Sequence, residues 1–151
     1  MINKPNLFYL LIFLFLFASQ ADAKARKGTI IGSLDINTQE TGDGAGCIFS
    51  TSKAEKDTFV FVERDGFGWM RINDKLKKYK PSSMLVMWPS KKGDKLNRAY
   101  ESEQAHLELD IEVTNGCGEQ EDNCAVIYKG NLTLSERGNE TVIEVKGHCA
   151  D

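Results

Sequence analysis

Apolar and polar residues alternate with period two over much of this chain. The cleanest stretch is His106 to Val113, where Leu107, Leu109, Ile111 and Val113 point one way and Glu108, Asp110 and Glu112 the other. That pattern predicts a strand with one buried and one wet face. Asn131–Ser135 and Thr141–Val145 alternate in the same way around Glu136–Glu140, which predicts a hairpin with Gly138 in its turn. Thr58–Val62 is apolar on both faces, as a central strand of a packed sheet would be. Asp65-Gly66 then turns the chain into Phe67–Ile72, because Asp-Gly between apolar runs favours a tight hairpin. Asn73-Asp74 makes a second tight turn into Lys75–Tyr79. Met84–Trp88, ended by Pro89, reads as a further strand, as do Thr29–Leu34, Cys47–Phe49 and Ala125–Tyr128. Asp35–Gly46 reads as an exposed loop. No apolar face of helical period runs beyond about ten residues. The expectation is an all-β, single-domain antiparallel β-sandwich or barrel.

The beginning of the chain breaks this pattern. Lys4 precedes an unbroken apolar run from Leu7 to Ala18, and Ala21 and Ala23 follow it. A positive start, a short apolar core and an A-x-A end predict a secretory signal peptide over residues 1–23, cleaved after Ala23. Cleavage after Ala21 is the second choice. The run is too short for a membrane-spanning helix of about 20 residues. Residues 24–151 are then one β-rich domain, periplasmic or secreted, with no integral membrane span after signal cleavage.

Export changes the reading of the four cysteines, Cys47, Cys117, Cys124 and Cys149. In an oxidising compartment an even number favours disulfides. Three pairings exist. Cys117–Cys124 with Cys47–Cys149 is favoured, because the polar, Gly-bearing segment between Cys117 and Cys124 can close on itself. A zinc site from Cys117, Cys124, His148 and Cys149 is the rival, with poor spacing at the adjacent His148 and Cys149.

The formal net charge of −3 gives no support for a nucleic-acid partner. Its distribution is uneven. Lys75, Lys77, Lys78, Lys80, Lys91, Lys92, Lys95 and Arg98 are opposed within their stretch only by Asp94. Glu101, Glu103, Glu108, Asp110, Glu112, Glu119, Glu121 and Asp122 follow with no base among them. Adjacent strands would let these charges pair across the sheet at about 0.2–1 kcal/mol each. A bipolar surface would instead offer a basic patch, with Tyr79 and Trp88 nearby, to an anionic envelope polymer or an acidic protein.

Catalytic chemistry has little to stand on. The only histidines are His106 and His148, and no nucleophile elbow, zinc-protease motif or phosphate loop is present. Asp35-x-Asn37-x-Gln39 fails a calcium loop at Glu40 and Gly46. No catalytic residue, metal ligand or cofactor is assigned. The expected function is non-enzymatic binding of an envelope component or protein. The alternatives are a hydrolase with a site assembled from distant residues such as His106, Asp110 and Glu112, and a passive structural protein of the envelope.

Gly46-Cys47-x-Phe49, Trp69-Met70-x-Ile72-Asn73, Lys75-Leu76 and Gly147-His148-Cys149 together resemble a pattern in small exported bacterial β-proteins of unknown function. Asp74 stands where that pattern has glycine. The resemblance implies a bacterial envelope setting and no activity.

Overall fold

A computed structural model describes residues 29–35, 41, 46–52, 59–84, 87–116 and 125–150. The expected signal peptide, Cys117, Cys124 and the acids Glu119, Glu121 and Asp122 lie outside the described residues. Among the described residues nine strands form in chain order: β1 (Ile31–Gly32), β2 (Gly46–Thr51), β3 (Phe59–Arg64), β4 (Phe67–Ile72), β5 (Lys75–Pro81), β6 (Lys95–Ser102), β7 (Ala105–Asn115), β8 (Ile127–Glu136) and β9 (Asn139–Ala150). From β2 to β9 each strand pairs antiparallel with the next. β9 then returns to pair with β2, so the sheet closes into an eight-stranded up-and-down barrel rather than a sandwich. Closure gives most strands a neighbour on both sides, which is how such a sheet avoids exposed edges.

Local chemistry sets the turns. Asp65 and Gly66, Asn73 and Asp74, and Arg137 and Gly138 all have positive φ, from 49° to 77°. Two consecutive left-handed residues make the turn whose twist matches the flanking strands. Asn73 and Asp74 reach it without glycine, because short Asn and Asp side chains tolerate this region better than most. The turns at 73–74, 103–104 and 137–138 lie at one end of the barrel, the hairpin end. The β3–β4 turn, the β5–β6 connection and the β7–β8 connection lie at the other, the long-connection end.

Eight strands leave an interior that side chains can fill. Here Phe49, Phe61, Met70, Tyr79, Tyr100, Leu107, Leu109, Tyr128, Leu132 and Leu134 fill it, all fully buried. Leu107, Leu109, Ile111 and Val113 face inward and Asp110 and Glu112 outward, as alternation predicts. Small residues make room for large ones. A Cβ at Gly147 would sit 2.4 Å from the Phe49 ring, and one at Gly68 would sit 2.7 Å from the Phe61 ring. Cys47 and Cys149 are directly opposed between β2 and β9 and form a disulfide, so the first and last barrel strands are covalently joined. A bridge spanning 102 residues is worth about 4.7 kcal/mol in the loop-entropy account. It also removes Cys149 from the rival zinc set.

The sequence reading needs five corrections. Met84, Met87 and Trp88, from the segment read as a strand, lie in no strand: Met84 and Met87 are about nine-tenths exposed, Trp88 turns back onto the barrel, and Leu85 and Val86 lie outside the described residues. The β5 positions nearest this connection, Lys80 and Pro81, are already paired with β6, so the connection finds no free edge at this end of the barrel. β6 was not expected, because its inward positions are Leu96, Arg98 and Tyr100 and the arginine breaks the apolar alternation. Thr29–Leu34 contributes only β1 and a single bridge from Leu34 to Phe59. Ala125–Tyr128 and Asn131–Ser135 belong to one strand, β8, entered at Ile127. The segment expected as an exposed loop also holds a buried residue, Thr41, whose hydroxyl accepts a hydrogen bond from Arg64.

Candidate functional site

The eight expected basic residues do not form one patch. Arg98 lies inside the barrel, with its guanidinium 2.6 and 2.7 Å from the two carboxylate oxygens of Glu63. The Tyr100 hydroxyl donates to the same carboxylate, and so does the Trp88 indole N–H at 3.2 Å. Arg98 also lies 4.2 Å from the Trp88 ring centre. A buried charge needs both a partner and hydrogen bonds to offset the lost water, and Glu63 receives them from three residues. Burial, followed by the charge of Glu63, pushes the Tyr100 phenol well above its usual range, so it remains a donor.

Trp88 reaches this network from the β5–β6 connection. Its ring packs 5.9 Å from Phe49 and 5.4 Å from Tyr128, centre to centre. The Tyr128 hydroxyl donates to the Pro89 carbonyl at 2.9 Å. Gly93 N–H donates to the Val113 carbonyl, and Val113 N–H to that of Asp94. The base of the connection is therefore clamped across the long-connection end. Met84, Met87, Lys91 and Lys92 stand exposed around it.

Lys77 also points inward, near the hairpin end, with its ammonium 2.7 Å from Glu136. Tyr79 is buried close by, and its hydroxyl has no hydrogen-bond partner among the described residues. Burial, and then the Glu136 carboxylate, push its phenol up to about 12. Lys78 points outward over Phe67, 3.7 Å from the ring centre, and 5.0 Å from that of Trp69. Lys75 and Lys80 are exposed. Lys95 faces Glu112 across β6 and β7, and Lys80 faces Glu101 across β5 and β6. The outcome is mixed. Lys80 and Lys95 stand opposite acids on neighbouring strands without forming ion pairs, two of the eight are turned into the barrel, and Lys91 and Lys92 sit apart at one end. Tyr79 and Trp88 belong to the interior rather than to a surface patch.

The residues weighed for a hydrolase share one face of β7. His106, Asp110 and Glu112 are all exposed on the outer wall of the barrel, with Asn97 and Asn131 beside Asp110. The described residues bring no three metal-ligating side chains together. No helix among them is long and apolar enough to cross a membrane. The disulfide is compatible with an oxidising compartment. Sequence reasoning missed Glu63 as a site residue. The available signal was its place in the strand Phe59–Arg64, where its parity with Phe61 puts it inside. Comparison with protein-family models, curated proteins and solved structures finds no match to this chain.

Proposed function

We propose that this protein is an exported, non-enzymatic binding module. Its partner contacts the long-connection end of the barrel. One observation carries this reading: Met84 and Met87 stand 91% and 89% exposed on a connection whose base is clamped through Trp88 and Pro89. Exposed apolar residues on a fixed base, beside the lysines Lys91 and Lys92, match a surface that is itself apolar and acidic. An acidic protein offers both properties. An anionic envelope polymer would engage the lysines and leave the methionines without a counterpart. The predicted signal peptide over residues 1–23 would place the module in the periplasm or outside the cell. Binding is favoured over hydrolysis because the buried charges face inward on one another and His106, Asp110 and Glu112 lie on an open convex wall.

The test is retention of envelope proteins on the immobilised chain. A Met84→Ser/Met87→Ser variant should lower the affinity of the captured partner about tenfold or more, from the lost apolar contact. A Lys91→Glu/Lys92→Glu variant should lower it further at low salt than at high salt. Retention that neither variant changes would remove this end of the barrel from consideration.

A further inference from the structure

The barrel has two seams where neighbouring strands part. β3 and β4 are paired only over Val62–Arg64 and Phe67–Trp69, and β1 fills the gap beyond by pairing with Arg71 and Ile72. β5 and β6 are paired only at Lys80–Glu101 and Pro81–Tyr100, because the chain turns away at Glu103-Gln104. Among the described residues nothing fills this second gap. A cleft of about 670 Å³ lies there, lined by Lys77, Lys78 and Lys80 on one side and Glu101–Gln104 on the other.

Strand parity shows which backbone groups face the cleft. Ser82 N–H donates to the Ala99 carbonyl, toward β6. Alternate residues point the same way, so the N–H and C=O of Leu76 and Lys78 also face that side. The two-residue turn at Asn73-Asp74 gives the same phase from the other end, with Lys75, Lys77 and Tyr79 bonded toward β4. Leu76 and Lys78 therefore present two donors and two acceptors, about 7 Å apart, along an unpaired edge.

We propose that this edge of β5 takes up an extended segment of a partner polypeptide as an added strand, with an acidic side chain opposite Lys78. An alternating row of backbone donors and acceptors is satisfied by another extended chain, and a sugar polymer or a small anion has no matching ladder. Lys75, Lys78 and Lys80 have no ion-pair partner among the described residues, while Lys77 is occupied by Glu136. The lysines exclude a second copy of β5, since like charges would then oppose one another along the strand. Glu101 and Glu103 form the far wall, so the acidic side chain is required at the β5 side. This site is separate from the Met84–Met87 connection and stands whether or not that connection binds anything.

Amide hydrogen exchange of the disulfide-bonded full chain tests it. In the free protein the Leu76 and Lys78 amides should exchange at least about 100-fold faster than those of Lys77 and Tyr79, which β4 protects. The probes are two eight-residue peptides of alternating valine and threonine, differing only in a central glutamate or lysine. The glutamate peptide should slow exchange at Leu76 and Lys78, and the lysine peptide should not. Lys78→Pro removes the cleft-facing donor and no existing ladder bond, so the variant should fold and lose the protection at Leu76. Leu76→Pro serves the same purpose, read at Lys78. Met84→Ser/Met87→Ser should leave the peptide effect intact, which separates this site from the long-connection end. Slow exchange at Leu76 and Lys78 before peptide is added, or no change on adding either peptide, would overturn strand addition. Equal protection by both peptides would overturn the acidic preference.

Discussion

Among the described residues the barrel encloses two ion pairs of the same chemistry in different surroundings. Glu63 and Arg98 have side chains only 8% and 7% exposed, and two further donors, Tyr100 and Trp88, complete the carboxylate's shell. Lys77 and Glu136 lie near the hairpin end, with the lysine side chain still 29% exposed. Arginine suits the first position because its guanidinium stays charged when buried, sets Nη1 against both carboxylate oxygens and lies over the Trp88 ring. Lysine suits the second because its flexible stem lets a single ammonium stay partly hydrated. Water, rather than the identity of the charges, decides how much each pair matters. At the first site the alternative to pairing is a bare charge in a dry interior. At the second the lysine can turn to water, while Glu136, with a side chain 11% exposed, cannot do so as freely.

The largest expected effect comes from breaking the buried pair on one side. Arg98→Ala leaves Glu63 charged and buried, and urea titration should show a loss of about 3–5 kcal/mol. Replacing both partners with methionine should recover most of that loss, because no unpaired charge then remains. Equal damage from the single and double variants would mean that Arg98 acts through its packing on Trp88. Lys77→Met strands Glu136, whose side chain is only 11% exposed, and should cost about 1–3 kcal/mol, less than Arg98→Ala because this pair lies closer to water. A loss as large as that of Arg98→Ala would erase the contrast between the sites.

The smallest effect concerns the tyrosine beside each pair. The unfolded chain releases tyrosine protons near 10.0, whereas the folded barrel holds that of Tyr79 to about 12 and that of Tyr100 beyond the usual range. Both folded values are raised, so their contribution to stability is complete below 10 and is lost as the pH rises toward about 12. Urea midpoints measured across that window should therefore fall, and Tyr79→Phe should flatten part of the slope. At neutral pH the same substitution removes a buried hydroxyl without a partner, and should be neutral or stabilising by about 1 kcal/mol.

Much of the fold was legible in the chain because one face of most strands is wet. β7 announces itself through Leu107, Leu109, Ile111 and Val113, and the turns at Asp65-Gly66 and Asn73-Asp74 through their residue types. The Cys47–Cys149 bridge was likewise the expected pairing. β6 was not legible, since an inward arginine looks like a surface residue until its carboxylate is known. The candidate site was less legible than the fold. The eight bases from Lys75 to Arg98 form a run in sequence, yet strand alternation sends Lys77 and Arg98 inward and Lys78 and Lys80 outward. Met84–Trp88 has the composition of a strand, and composition does not reveal that the nearest β5 positions, Lys80 and Pro81, are already paired with β6.

The sequence by itself determined that this chain is all β, that its strands are short and joined by tight turns, and that one face of most strands is buried. Those properties are local: they depend on a period of two and on which residues tolerate positive φ. Only the tertiary structure decided that the sheet closes, that Arg98 finds Glu63 across the interior, and that β5 keeps part of one edge unpaired. Each of these depends on the register between strands far apart in the chain, and no single strand carries that information.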